Sequence, residues 1–199
     1  MEYLRKLLMI EIERKFLVNP KWNIYGDIDD PRMLNICSNE TGKQGFNLIY
    51  EESIEQFYLM DTGSWTIRGR QIYHHVYNMT NRYLTLKSPI DTNSCHEYEP
   101  IISEEMYLDL KKNHPVIFKN RKTIVKNPAI TWMIDCFANP EFQHLSVTGN
   151  DLLAMVEIEM AHPDIDIGVQ VGEDHFLYRE VTNDPRYRNS ELYKLLGVR

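Results

Sequence analysis

The chain is 199 residues long, 43% hydrophobic and 26% charged, which fits one globular domain and leaves little room for two. Lys plus Arg number 22 against 29 Asp plus Glu, a formal net charge of -7, so bulk charge argues against a protein that coats nucleic acid or an anionic membrane. Three cysteines, Cys37, Cys95 and Cys136, form no C-x-x-C pair, which speaks against a disulfide framework or a zinc knuckle and for a reducing compartment. The run Leu7-Leu8-Met9-Ile10 is too brief for a signal-peptide core, and no run approaches the roughly 18 apolar residues of a membrane span. A cytoplasmic protein is expected, and the N-x-T sequons at Asn39 and Asn78 are read as chance.

Taken in chain order, alternation with period two predicts strands over residues 9 to 18, 54 to 60, 64 to 73, 81 to 88, 95 to 102, 117 to 125, 130 to 138 and 153 to 161. Turn-rich segments such as Pro89-Ile90-Asp91-Thr92-Asn93 separate them. Two helices are predicted: residues 103 to 113, opened by Ser103 with Glu104 and Glu105 in the first turn, and residues 190 to 196, opened by Asn189 and closed by Gly197. Residues 19 to 53 hold no period, broken by Asp29-Asp30-Pro31 and Gly42 to Gly45, and read as an insertion with a short helix inside a single domain, 1 to 199. No repeat or linker divides the chain. The fold class is all-β dominated (α+β).

Successive strand side chains point to opposite faces, and that rule sorts the charges. Glu11, Glu13 and Lys15 share a face, as do Arg68 with Arg70, Thr85 with Lys87, Glu97 with Glu99, Lys119 with Arg121, and Glu157 with Glu159. The opposite face is apolar: Ile10, Ile12 and Phe16; Leu84 and Leu86; Val156, Ile158 and Met160. For any one strand the plain reading is a sheet with its charged face in water. Acidic pairs on three strands and basic pairs on two others suit a second reading better. If the sheet closes into a barrel, the charged face becomes an interior, and helices or a partner subunit, such as a second copy in a homodimer, cover the apolar one.

Six bases, Lys15, Arg68, Arg70, Lys87, Lys119 and Arg121, balance six acids, Glu11, Glu13, Glu97, Glu99, Glu157 and Glu159. Two divalent cations would tip that interior to about +4, which matches the roughly four negative charges of a triphosphate near neutral pH. Paired carboxylates suit Mg²⁺ or Mn²⁺, one or two per site, while Arg and Lys clamp phosphate oxygens.

The segment Glu11-Ile12-Glu13-Arg14-Lys15-Phe16-Leu17-Val18 resembles the E-x-E-x-K signature of the CYTH superfamily, the triphosphate tunnel metalloenzymes. Arg68-Gly-Arg70, Leu84-Thr-Leu-Lys87, Glu97-Tyr-Glu99, Lys119-Asn-Arg121, Ile134-Asp135-Cys-Phe137, Val156-Glu157-Ile-Glu159 and Glu180-Val-Thr-Asn-Asp184-Pro-Arg186-Tyr-Arg188-Asn189 follow in the family's order. The opening octapeptide and the late E-V-T-x-D-x-R-Y-x-N run look most like the small bacterial branch, whose members hydrolyse inorganic triphosphate. The resemblance implies an eight-stranded antiparallel barrel, open as a tunnel with flanking helices. It implies that Glu11, Glu13 and Glu159 bind the metal that orients the phosphates. By the same resemblance, Glu97, Glu99 and Glu157 would hold a second metal or activate water. The resemblance likewise implies that Lys15, Arg68, Arg70, Lys87, Lys119 and Arg121 would clamp phosphate, Lys87 also serving the chemistry, and that water would attack the terminal phosphorus in line.

Two residues have double readings. Asp135 is a metal ligand or an acid that orients a clamp residue. Arg186 reaches phosphate or pairs with Asp184, the clamp being slightly favoured. Cys95 stands where close bacterial relatives tend to carry a base. Gly42-Lys43 lacks the remainder of a P-loop, and His74-His75 point apart on a strand, so neither makes a nucleotide or zinc site. The three Trp, with Tyr83 and Tyr98, are read as packing before base stacking.

The expected activity is therefore metal-dependent hydrolysis of an inorganic or nucleoside triphosphate. The alternatives are a class IV-type adenylyl cyclase that makes cyclic AMP from ATP and a non-catalytic module that binds a triphosphate or nucleotide. Action on RNA 5' ends is disfavoured by the modest basic content, as is any long nucleic-acid partner.

Overall fold

The computed structural model describes residues 9–22, 49–90, 94–149 and 151–197. Nine strands make one sheet: β1 (Met9–Val18), β2 (Ile49–Asp61), β3 (Thr66–His74), β4 (Met79–Pro89), β5 (Ser94–Tyr98), β6 (Ile117–Asn127), β7 (Ile130–Phe137), β8 (Ala154–Met160) and β9 (Leu177–Glu180). Their order is β5-β4-β3-β2-β6-β7-β8-β1-β9, every pairing between these strands is antiparallel, and β5 also pairs with β1. That last pairing closes eight strands into a barrel and satisfies the edges an open sheet would leave. β5 takes the first half of β1, Met9 to Ile12, and the short β9 takes the second, Phe16 to Val18.

The eight predicted strands are all present. β2 starts five residues earlier than the alternation suggests, so residues 49–53 of the expected insertion belong to the barrel; residues 19–22 follow β1, and 23–48 lie outside the described residues. β5 ends at Tyr98, because Pro100 removes a donor from the ladder and the chain touches β4 again only at Ile101. Helix α1 (Glu104–Lys111) starts at the predicted Ser103, whose side chain accepts the Met106 N–H at 3.2 Å. Helix α2 (Asn189–Lys194) starts one residue early, after a 3-10 turn (Pro185–Tyr187) capped by Asp184. The Asn189 side chain is consequently turned into the protein and does not cap the helix. A second 3-10 turn spans Pro140–Leu145.

Two apolar clusters hold the barrel. On the outer face of β1, β6, β7 and β8, Phe16, Ile124, Trp132, Ile134, Val156 and Ile158 are buried beneath Ile167 and Phe176 of the returning segment. Each such side chain contributes about 2 kcal/mol when fully buried. The cover over this face is thus the chain itself. The second cluster gathers Leu17, Tyr58, Ile117, Phe137 and Met155 from strand ends with Tyr187, Leu192 and Tyr193 from the 3-10 turn and α2. All five of these strand residues share the parity of the inward-facing charges, so the cluster stops one end of the interior.

Gly69 explains the spacing within Arg68-Gly-Arg70. Its outward side faces Phe57, its partner in the β2–β3 ladder, and an added Cβ would lie 2.2 Å from the Phe57 ring. That ring in turn packs on Tyr107 of α1, 5.4 Å between centroids. A bare residue on the outside is what lets the two arginines point inward.

Candidate functional site

The inward face encloses a cavity of about 670 Å³. Its wall carries Glu13 and Lys15 from β1, Arg68 and Arg70 from β3, Lys87 from β4, Glu97 and Glu99 from β5, Arg121 from β6, and Glu157 and Glu159 from β8. Five bases and five acids separated by up to 146 positions in sequence meet there because the strand register carries every one of them inward.

The wall formed by β1, β8, β7 and β6 is a buried ionic chain. Lys15 Nζ lies 2.9 Å from Glu157 Oε1 and 3.1 Å from Glu13. Arg121 Nη2 reaches the other Glu157 oxygen at 2.8 Å, and Arg121 grips Asp135 through Nε and Nη2, both at 2.7 Å. Lys119 Nζ donates to the same carboxylate at 2.5 Å. Asp135 and Lys119 are shut off from solvent, their side chains 0% and 1% exposed, and neither lines the cavity. Burial disfavours charge on Glu157, yet Lys15, Lys119 and Arg121 outweigh it and hold its carboxyl well below the usual range. Burial also disfavours charge on Arg121, and Asp135 reverses that, raising it. Lys119, desolvated and beside Arg121, is pushed down to about 8 despite Asp135.

The wall formed by β3, β4 and β5 pairs its charges more simply. Arg68 and Lys87 share Glu97 at 3.4 and 3.3 Å. Arg70 meets Glu99, which also accepts the Thr85 hydroxyl at 2.6 Å. Burial raises the Glu99 carboxyl, but Arg70 and Arg68 more than offset it, leaving it below its ordinary value. Arg70 itself is lowered, by burial first and by neighbouring Arg68 next.

Other residues from the sequence reading fall elsewhere. Glu11 sits in β1 across from Cys95, and its side chain lies outside the described residues. Cys95 lines the cavity. Arg186 is outside the lining, 63% exposed and doubly bonded to Asp184. Arg188, two residues on, lines the cavity along with Asn189 and Lys194. Asn189 is buried, and its Nδ2 donates to Glu157 at 3.5 Å. Tyr58 and Glu52 also line the wall without having been singled out. Their parity on β2 was a usable signal; the inward turn of Arg188, made by a 3-10 turn, had none.

Among the described residues no three His, Cys, Asp or Glu side chains gather around one point. The donors for a hard cation are nevertheless on the wall. Glu13 and Glu159 are direct partners in the β1–β8 ladder and both line the cavity. Like charges directly opposed are unfavourable unless a cation lies between them. One position along, Lys15 faces Glu157 and the charges are complementary. The oxygen-only donor set fits Mg²⁺ or Mn²⁺.

A closed eight-stranded antiparallel barrel with an ionic interior defines a class of tunnel-shaped proteins, and the comparisons agree. The structure of the hypothetical protein NE1496 is similar over 95% of this chain and 99% of that one, at 24% identity and a TM-score of 0.51. That of the PH1819 protein from Pyrococcus horikoshii OT3 covers 77% of this chain and 79% of its own, at 18% identity and a TM-score of 0.51. A further structure, of the inorganic triphosphatase NE1496, matches over 94% and 96% at 25% identity with a TM-score of 0.49. No protein-family model and no curated protein matches the chain. The first two likenesses bear out the closed antiparallel barrel expected from the ordered motifs.

Proposed function

We propose that this chain is a metal-dependent triphosphatase that hydrolyses a triphosphate inside its barrel, inorganic triphosphate before nucleoside triphosphates. One observation carries the reading: seven bases and eight carboxylates line a single cavity whose volume suits a small, highly charged molecule. Lys15, Arg68, Arg70, Lys87 and Arg121 bind and orient the phosphates, and Arg188 joins them from the α2 end in preference to Arg186. Lys119 supports this clamp from behind, through Asp135. Glu13 and Glu159, with Glu11 and Glu157 beside them in the two strands, hold the cation. Mg²⁺ or Mn²⁺, when bound, neutralises charge on the phosphate oxygens and on the leaving group.

Glu157 and Glu99 are weak bases, because the cations around them favour their ionised forms. Glu97 is likewise set between two cations, Arg68 and Lys87, so these carboxylates orient the attacking water rather than take up its proton, and Lys87 balances the charge that develops as the anhydride opens. A phosphate-release assay on triphosphate, pyrophosphate, ATP, GTP and thiamine triphosphate, each with Mg²⁺, Mn²⁺ or chelator, tests the proposal. Metal-dependent release from triphosphate supports it. Cyclic AMP plus pyrophosphate from ATP would make the protein a cyclase, tight binding without turnover would make it a binding module, and silence throughout would remove the proposal.

A further inference from the structure

We propose that Gln56 is a positioning residue that sets the grip of Arg70 on the triphosphate, an inference that rests on the function proposed above. Gln56 belongs to the inward face of β2, directly across from Arg70 in the β2–β3 ladder and from Ile117 in the β2–β6 ladder. Directly opposed side chains on one face start from Cβ atoms about 5 Å apart. Gln56 is completely buried, yet among the described residues neither its amide oxygen nor its amide nitrogen has a hydrogen-bond partner. Buried amides are nearly always bonded, and an exception calls for a cause. Arg70 supplies the other half: its Nε is buried and unbonded too, while its Nη2 reaches Glu99 on β5. An acceptor without a donor therefore stands across one rung from a donor without an acceptor.

The planar guanidinium connects the two. When both Nη groups point end-on at phosphate oxygens, the Nε–H is left over and needs an acceptor of its own. Gln56 Oε1 is the acceptor on the adjacent strand. A triphosphate competes with Glu99 for the Arg70 fork, and the bond from Nε to Gln56 holds the fork at the substrate once it has left Glu99. A neutral amide suits this task, because it fixes the guanidinium without cancelling the charge that the phosphate needs. A carboxylate at the same place would capture Arg70 as Glu99 does.

The test compares wild type, Gln56→Met, Gln56→Glu, Arg70→Lys and the double variant Gln56→Met with Arg70→Lys. Affinity for inorganic triphosphate with Mn²⁺ is measured by calorimetry, hydrolysis by phosphate release, and folding by the melting temperature. Gln56→Met should raise KM about tenfold while kcat changes less than about threefold, the pattern of lost ground-state binding. It should leave the melting temperature unchanged or higher, because an apolar isostere replaces an unbonded amide. Gln56→Glu should weaken binding further. In the Arg70→Lys background, which lacks the Nε–H, Gln56→Met should change KM less than about twofold. Losses that simply add, or a fall in melting temperature with KM unchanged, overturn the inference while leaving an active wild type and the proposed function intact. A wild type that neither binds nor hydrolyses triphosphate removes both.

Discussion

The two walls of the barrel interior carry the same residue types and are built on different physics. On the β1, β8, β7 and β6 side, Lys15, Glu157, Arg121, Asp135 and Lys119 form one continuous buried chain in which the acids serve two bases each. On the β3, β4 and β5 side, Arg68, Lys87 and Arg70 lean on Glu97 and Glu99, whose side chains are 18% and 25% exposed. Removing one member of a buried ionic chain strands a charge and costs stability, whereas a partly hydrated pair can be broken at small cost. The first wall therefore belongs to the fold as much as to the site; on the proposed function, the second is the wall that exchanges its partners for a ligand.

The sharpest way to break this contrast is Asp135→Ala. It strands Arg121 and Lys119 together and should destabilise the protein by about 3–5 kcal/mol, lowering the melting temperature by about 10 °C. Equal stability to wild type in a denaturant titration would mean that the first wall is no more structural than the second. Glu157→Gln should cost about 3 kcal/mol at neutral pH for the same reason, and it should also change the pH profile. The Glu157 carboxyl titrates lower in the fold than its ordinary 4.5, so its contribution is complete above that value and is lost as pH falls through the folded value. The acid limb of a melting-temperature profile should be flatter in the variant.

Gly69→Ala should act on the second wall from outside. The added Cβ meets the Phe57 ring, and overpacking of this kind costs about 1–3 kcal/mol. Hydrolysis should fall more than stability, since the strand that carries Arg68 and Arg70 must shift. Glu99→Gln should change stability by less than about 1 kcal/mol, and it should alter the affinity for triphosphate measured by calorimetry. Arg186→Ala should have the smallest effect, leaving KM unchanged, whereas Arg188→Ala raises it.

Much of this was legible in the sequence because strand parity is a strict rule. Every charged pair assigned to one face, from Glu13 with Lys15 to Glu157 with Glu159, faces inward. What escaped was set by depth or by irregular backbone. Lys119 and Arg121 have the same parity, yet Lys119 is sealed behind Asp135 while Arg121 borders the cavity, and alternation carries no information on depth. β9 is four residues long, too short to alternate visibly, and it pairs only because β5 leaves half of β1 open. The choice between Arg186 and Arg188 depends on a 3-10 turn whose phase no strand or helix period predicts.

The sequence by itself determined which residues of a strand share a face, because the pleat of a strand is local and each side chain has only two directions. Only the tertiary structure decided that the face is an interior, which acid meets which base, and how deeply each of them is buried. Those outcomes depend on the β1–β5 closure and on ladder registers that bring together residues more than a hundred positions apart. A net charge of -7 over the whole chain coexists with a cavity lined by arginines and lysines for the same reason: burial and pairing act on neighbours in space, and the sum over the sequence does not see them.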